Sequence, residues 1–343
     1  MRGVIRPDSI ALVRATPPQL RLDAPAEIER IASRLRHQVG EVLRRRGLVV
    51  AMSGGIDSSV CAGLAVRAMG PKRVFGLFLP ERDSDPASLT LATELANKLG
   101  IAHTTEDITP LLEGAGCYRR RNDAVRRVVP EFEDDWGCKI VLPGERLESD
   151  RLNVYYLAVK PPSGEMRTVR LPAPEYLEIV AATNFKQRTR KMMEYFHADR
   201  LHYAVTGTPN RLEYDQGFFV KGGDGLADVK PIAHLYKTQV YQLAEALGVP
   251  PGIIARPPTT DTYSLPQSQE EFYFSLPAAT MDAVLHARNR GLDAAAAAAA
   301  LGLTEEQVSR AYKDIDQKRS TTFYLHAPPM LIDEVPLPRP GSG

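Results

Sequence analysis

The sequence predicts an α/β protein built on a doubly wound parallel sheet, and three observations lead there. A short apolar run at residues 47–52, Gly-Leu-Val-Val-Ala-Met, reads as a buried parallel strand. A serine- and glycine-rich turn at residues 53–59 follows at once and enters a helix over residues 60–69. A second apolar strand, residues 74–79, then leads to a helix opened by Asp85 and Pro86 and stopped at Gly100. Strand, turn, helix, strand, helix is the doubly wound rhythm.

The remaining elements follow in order. Residues 1–24 stand apart as an N-terminal extension. Ile28, Ile31, Leu35 and Val39 recur at three- and four-residue intervals and predict a helix over residues 25–45. The rhythm breaks after Ile108. Residues 138–174, from Cys138 to Pro174, read as an inserted hairpin, its strands at 152–160 and 166–171 flanking a Pro-Pro-Ser-Gly turn. The α/β pattern resumes with a helix over 184–199, a strand over 203–206 and a helix over 237–247 that Gly248 and Pro250 terminate. An alanine run at 294–300 reads as a small-faced helix within a helical C-terminal part, residues 275–326. The main domain is expected to span 25–326, and the proline-rich tail, 327–343, to be mobile.

Composition narrows the function. The chain has 343 residues, 43% hydrophobic and 25% charged, ordinary values for a folded α/β protein. Lys and Arg together number 43 against 42 for Asp and Glu, so no basic excess points to nucleic acid. Cys61, Cys117 and Cys138 have neither CxxC nor Cys/His metal spacing and read as reduced thiols. The N-terminus lacks the apolar stretch of a signal peptide and no run of eighteen apolar residues occurs, so a cytoplasmic location without membrane association is expected.

The chemistry concentrates in Ser53, Gly54, Gly55, Ile56, Asp57, Ser58 and Ser59. The glycines let backbone amides approach phosphate oxygens, and the helix N-terminus adds its positive end. Ser53, Ser58 and Ser59 supply hydroxyls. Asp57 suits an anion site only with a cation between them, which assigns it to Mg²⁺. The Gly-Lys-Ser/Thr of the Walker motif is missing, so γ-phosphoryl transfer is not expected. The plainer alternative is a structural turn with Asp57 as a helix-start residue; the position directly after an apolar strand favours the phosphate loop.

This loop resembles the SGGxDS signature of the N-type ATP pyrophosphatases. Residues 206–213 (Thr-Gly-Thr-Pro-Asn-Arg-Leu-Glu), 217–228 (Gly-Phe-Phe-Val-Lys-Gly-Gly-Asp-Gly-Leu-Ala-Asp) and 231–240 (Pro-Ile-Ala-His-Leu-Tyr-Lys-Thr-Gln-Val) are similar to the ammonia-dependent NAD synthetases. The resemblance spans roughly 25–110 and 180–325. It implies a sheet of the adenine nucleotide alpha hydrolase-like type and a two-step reaction. ATP adenylates the carboxylate of deamido-NAD and releases pyrophosphate; ammonia then displaces AMP.

Carried over residue by residue, the resemblance implies that Ala51, Met52 and the loop through Ser58 hold the ATP phosphates, with Asp57 and Glu213 on Mg²⁺. Thr208 and Thr259 would contact ATP, and Lys237 its phosphates. Arg188, Lys221 and Asp228 would bind deamido-NAD, and Gln317 and Lys318 would close over it. The resemblance also implies a homodimer. Without it, Glu213 reads as a surface helix residue, Lys237 as a solvated helix-start lysine, and Arg188 with Arg190 as an exposed charged face. No catalytic cysteine with a partner acid and lysine is recognisable, so ammonia is expected to arrive free or from another chain.

The sequence departs from the family pattern at the 138–174 insertion, at Pro209, in residues 260–271 and in a first helix without aromatic residues. The insertion and the altered stretch after Thr259 motivate a second reading, ranked below the first: a relative that adenylates another carboxylic acid and joins it to an amine. A third reading takes residues 292–312 as helix, turn at Gly302, helix, in the manner of a DNA-binding helix-turn-helix. The near-neutral charge and the alanine-filled first helix oppose it.

Overall fold

The structure, a computed structural model, describes residues 16–141, 155–257, 263–265 and 277–336. Its central sheet has four parallel strands in the order β3-β2-β1-β7: β1 is Leu48–Ala51, β2 Val74–Phe78, β3 Ala102–Thr105 and β7 Ala204–Thr206. Side chains alternate across it. Leu48, Val50, Val74 and Phe78 enter one buried apolar cluster, Val49, Leu77 and Val205 another. Helices Ala24–Arg36, Ile56–Met69, Pro86–Leu99 and Lys237–Ala246 cover the first face; Thr109–Gly114, Cys117–Val128 and Ala173–Leu201 contribute to the second. The doubly wound fold is as expected.

The chain leaves β1 towards β2 on one side and returns to β7 on the other. The carboxyl end of β1 is therefore where strand order reverses, the position at which open α/β sheets bind ligands. The serine-glycine loop lies there.

Several boundaries shift, each for a local reason. The helix after the loop starts at Ile56, so Asp57, Ser58 and Ser59 occupy its first turn. The first helix, capped by Asp23, ends at Arg36 and continues in wider π-helical turns over His37–Val42. The hairpin is one part of a three-stranded antiparallel sheet, β4 Gly137–Val141, β5 Tyr156–Lys160 and β6 Arg167–Arg170. Two strands alone are marginal in water, and β4 adds Cys138 and Ile140 to the buried face. Residues 142–154, including the start of the expected first hairpin strand, lie outside the described residues. The helix expected from 184 begins at Ala173 and runs 29 residues to Leu201. Pro174, read as the end of the inserted hairpin, sits in its first turn, where a missing N–H costs nothing.

The C-terminal helices Ala278–Asn289, Ala294–Leu301 and Glu305–His326 pack through Met281, Val284, Leu285, Ala297, Val308 and Ile315, against Leu20, Leu212 and Tyr236. Gly302, at φ +68°, ends the alanine helix, and Thr304 caps the next one by accepting from Gln307 N at 3.2 Å. The segment read as a helix-turn-helix thus spends its apolar faces on this core. Residues 327–336 carry no regular structure, and the rest of the tail lies outside the described residues. No helix among the described residues is long and apolar enough to cross a membrane.

Candidate active site

The loop after β1 is shaped by Gly54, whose φ of +73° only glycine adopts without strain. A Cβ at Gly54 would stand 2.4 Å from the Ser88 carbonyl oxygen, so the loop passes against the helix Pro86–Leu99 with no room for a side chain. Gly55 opens the next helix without a side-chain cap, leaving first-turn amides for a ligand. The hydroxyls of Ser58 and Ser59 donate to the Gly55 carbonyl at 3.0 and 2.8 Å, fixing the turn from within.

Asp57, Glu213 and Lys237 meet beside this turn, from three separate elements. Asp57 comes from the helix after β1. Glu213 comes from the short helix Arg211–Gln216, which follows β7. Asn210 caps that helix, accepting from Leu212 N and Glu213 N, while Glu213 Oε2 accepts from Asn210 N at 3.0 Å. The Asn210 amide also donates to Asp57 Oδ1 at 3.2 Å. Lys237 starts the helix Lys237–Ala246 and donates from Nζ to Asp57 Oδ2. Burial alone would depress the Lys237 pKa; Asp57 and then Glu213 outweigh it and hold the ammonium well above its usual range. The same burial, aided by both carboxylates, pushes the Cys61 thiol up, so this cysteine is an inert packing residue.

A cavity of about 920 Å³ opens over the cluster. Ala51, Met52, Ser53, Gly55, Ile56 and Ser58 line one end together with Asp57, Glu213 and Lys237. Thr208 and the divergent Pro209 also face it. Arg188, Lys221, Gln317 and Lys318 line it elsewhere, so the residues expected for nucleotide and for acid share one space. Arg188 Nε donates to the Lys221 carbonyl at 3.2 Å; Lys221 Nζ donates to the carbonyls of Tyr324 and Ala327 at the end of the last helix. Lys318 pairs with Asp314 at 2.7 Å.

Three expected residues stand apart. Gly54 and Ser59 lie outside the cavity lining and hold the loop's shape. Asp228 is also outside it: one carboxylate oxygen accepts from Val205 N at 2.7 Å and the other from the Tyr195 hydroxyl at 3.3 Å. Thr259 lies outside the described residues.

The structure adds groups the sequence did not single out. Lys186, 1% exposed, bridges Glu81 at 2.9 Å and Asp83 at 2.8 Å. Tyr118 donates to Glu81, and Arg121 to Asp83. Burial would raise the Asp83 pKa, but Lys186 and Arg121 overcome it and keep the carboxyl below its usual range. Tyr155 and Tyr176 stack at 4.0 Å on the cavity wall. Only Asn210 left a sequence signal, the Asn-x-x-Glu spacing of a capping box. The others are joined by long-range contacts that no local pattern announces.

A glycine-shaped loop at the switch point, a helix N-terminus and two carboxylates around one lysine define a nucleotide-binding α/β protein of the phosphate-loop kind. The pattern of the NAD synthase family matches residues 27–125 and 155–323, and the chain belongs to that family. The chain is similar to the NH(3)-dependent NAD(+) synthetase of Mesorhizobium japonicum, 59% identical over 316 residues, covering 92% of this chain and 99% of that protein. It is also similar to the enzyme of the same name from Thermotoga neapolitana, at 38% over 75% of this chain and 82% of that one. The solved NMN synthetase of Francisella tularensis shares the fold at a TM-score of 0.63 and 21% identity, over 92% of this chain and 100% of that chain.

Proposed function

We propose that this protein makes NAD from deamido-NAD, ATP and ammonia, releasing AMP and pyrophosphate. The observation that carries the reading is the cluster of Asp57, Glu213 and Lys237 at one end of a cavity that also holds Arg188, Lys221 and Gln317. A carboxylate has no leaving group that ammonia can displace, so activation comes first. The loop amides and Lys237 take the ATP phosphates, and the acid's carboxylate oxygen attacks the α-phosphorus as pyrophosphate departs. Ammonia then attacks the acyl carbon, and the C–O bond to AMP breaks. No protein nucleophile is needed.

Asp57 and Glu213 would hold Mg²⁺. The donor set fits: both are hard oxygen ligands, and both act on the one buried cation already between them, Lys237. Bound there, Mg²⁺ supplies charge neutralisation on the departing pyrophosphate. Arg188 and Lys221 would take the acid substrate with Gln317 and Lys318 closing above it, and Asp228 would act there only after leaving Val205 and Tyr195. The half-exposed Met192 and Phe196 on the long helix suit a homodimer interface, and three buried, unpaired cysteines suit the reducing cytoplasm. Incubating the protein with ATP, Mg²⁺, ammonia and deamido-NAD should give NAD and AMP in equal amounts. Formation of ADP, or no AMP, would sink the proposal.

A further inference from the structure

The two helices that deliver Lys237 and Glu213 are each gripped by the C-terminal helices, chiefly through Asp282 and Arg319, which have no place in the cavity lining. Asp282, fully buried on Ala278–Asn289, accepts from Lys237 N at 3.2 Å with one oxygen and from Thr238 N at 2.7 Å with the other. A carboxylate from another helix thus satisfies two first-turn amides that the helix Lys237–Ala246 cannot satisfy itself. The second grip is on the short helix of Glu213. Arg319, on Glu305–His326, donates in a two-pronged contact to Asp215 at 2.6 and 2.9 Å, and to Asn289 at 2.6 Å. Thr322, one turn on, donates to the Gln216 carbonyl at 3.3 Å. Gly217 permits this approach, since a Cβ there would sit 2.3 Å from Thr322 Cβ.

We infer that Asp282 and Arg319 are positioning residues, Asp282 setting Lys237 and Arg319 setting Glu213 in register with Asp57. The C-terminal helices are then part of the machinery as its frame, and the same last helix brings Gln317 and Lys318 to the cavity. A bidentate guanidinium–carboxylate contact and a two-amide cap fix direction as well as distance, which a purely apolar contact would not. The inference rests on the nucleotide half of the function proposed above and is independent of the acid's identity.

The test uses the full chain carrying Asp282→Ala, Asp282→Asn, Arg319→Met or Arg319→Lys. Calorimetric titration with an α,β-methylene analogue of ATP, at fixed and at varied Mg²⁺, reads binding without turnover. Asp282→Ala should weaken the analogue about tenfold with a smaller change in Mg²⁺ dependence, the size expected when a group supporting a ligand-binding residue is removed. Arg319→Met should raise half-saturating Mg²⁺ about tenfold with a smaller loss of analogue affinity. Asp282→Asn and Arg319→Lys should recover most of each loss. Unchanged affinities in folded variants, or equal loss of both responses in both variants, would overturn the inference. Should the first pair fail to fold, the conservative pair must still show the split in weaker form, and its absence overturns the inference equally. Wild-type protein that binds the analogue but makes no NAD would refute the proposed acid while leaving this result standing.

Discussion

Lys237 and Asp57, 180 positions apart, form an ion pair at the carboxyl end of β1, with the lysine side chain 3% exposed and the aspartate 18%. An ammonium so placed is held in wait: it neutralises Asp57 and faces the cavity where phosphates would lie. Replacing Asp57 by Asn keeps the size and the acceptor for Asn210 but removes the charge. Substrate-dependent AMP release should fall about 10²–10³-fold, the range for losing one preorganised electrostatic group. A thermal melt should show the fold intact. Turnover close to wild type would refute the assignment.

Gly54 offers a test of the loop itself. Gly54→Ala forces φ +73° on a residue with a Cβ, at about 1–2 kcal/mol, and drives that Cβ into the Ser88 carbonyl. Gly55→Ala is the control, since its Cβ would meet only the Ser53 hydroxyl at 3.3 Å. Thermal denaturation should separate the two, with Gly54→Ala the less stable and the weaker in ATP affinity. Equal melting temperatures would mean that the loop tolerates a shift away from Ser88.

The sequence shows why these residues could be found and others not. β1 is apolar because both faces of a parallel sheet are covered, and that run placed the phosphate loop. Glu213 and Lys237 were recognisable through the family pattern alone; locally Glu213 looks like a surface helix residue and Lys237 like a solvated helix-start lysine. Lys186, Glu81 and Asp282 left no mark, because their partners lie 105 and 45 or so positions away and only folding joins them. The three-stranded sheet was half legible. The turn at residues 161–164 marked β5 and β6, whereas β4 is a strand only because Tyr156–Lys160 pairs with it.

Lys186 makes a prediction about stability. Its ammonium lies between Glu81 and Asp83, whose side chains are 0% and 8% exposed. Lys186→Met leaves two buried carboxylates, Asp83 with Arg121 and a longer pairing to Arg82, and Glu81 with the Tyr118 hydroxyl and the Asp83 amide. Breaking a buried pair in this way costs about 3–5 kcal/mol, to be read as a lower urea midpoint. Exchanging Glu81 for Gln as well should restore part of the loss, because it removes one of the stranded charges. A lysine that served only as a spacer would show no such rescue.

Asp282 predicts a pH dependence whose sign can be worked out. Burial pushes its carboxyl up to about 7, against the pull of the Thr238 and Lys237 amides, from about 3.9 in the unfolded chain. A carboxyl with a raised pKa in the folded state binds its proton more readily there, so its contribution to stability is full below pH 4 and is lost as pH rises towards 7. The loss approaches about 1.4 kcal/mol per pH unit between those limits. Asp282→Asn cannot titrate and keeps one acceptor for the helix amides. The stability of wild type relative to Asp282→Asn, from urea melts, should therefore decline from pH 4 to pH 7 and then level off. A difference that is flat across this range would show that the two amides hold the carboxylate ionised throughout, and Asp282 would then act on Lys237 as a fixed negative charge at every pH the enzyme meets.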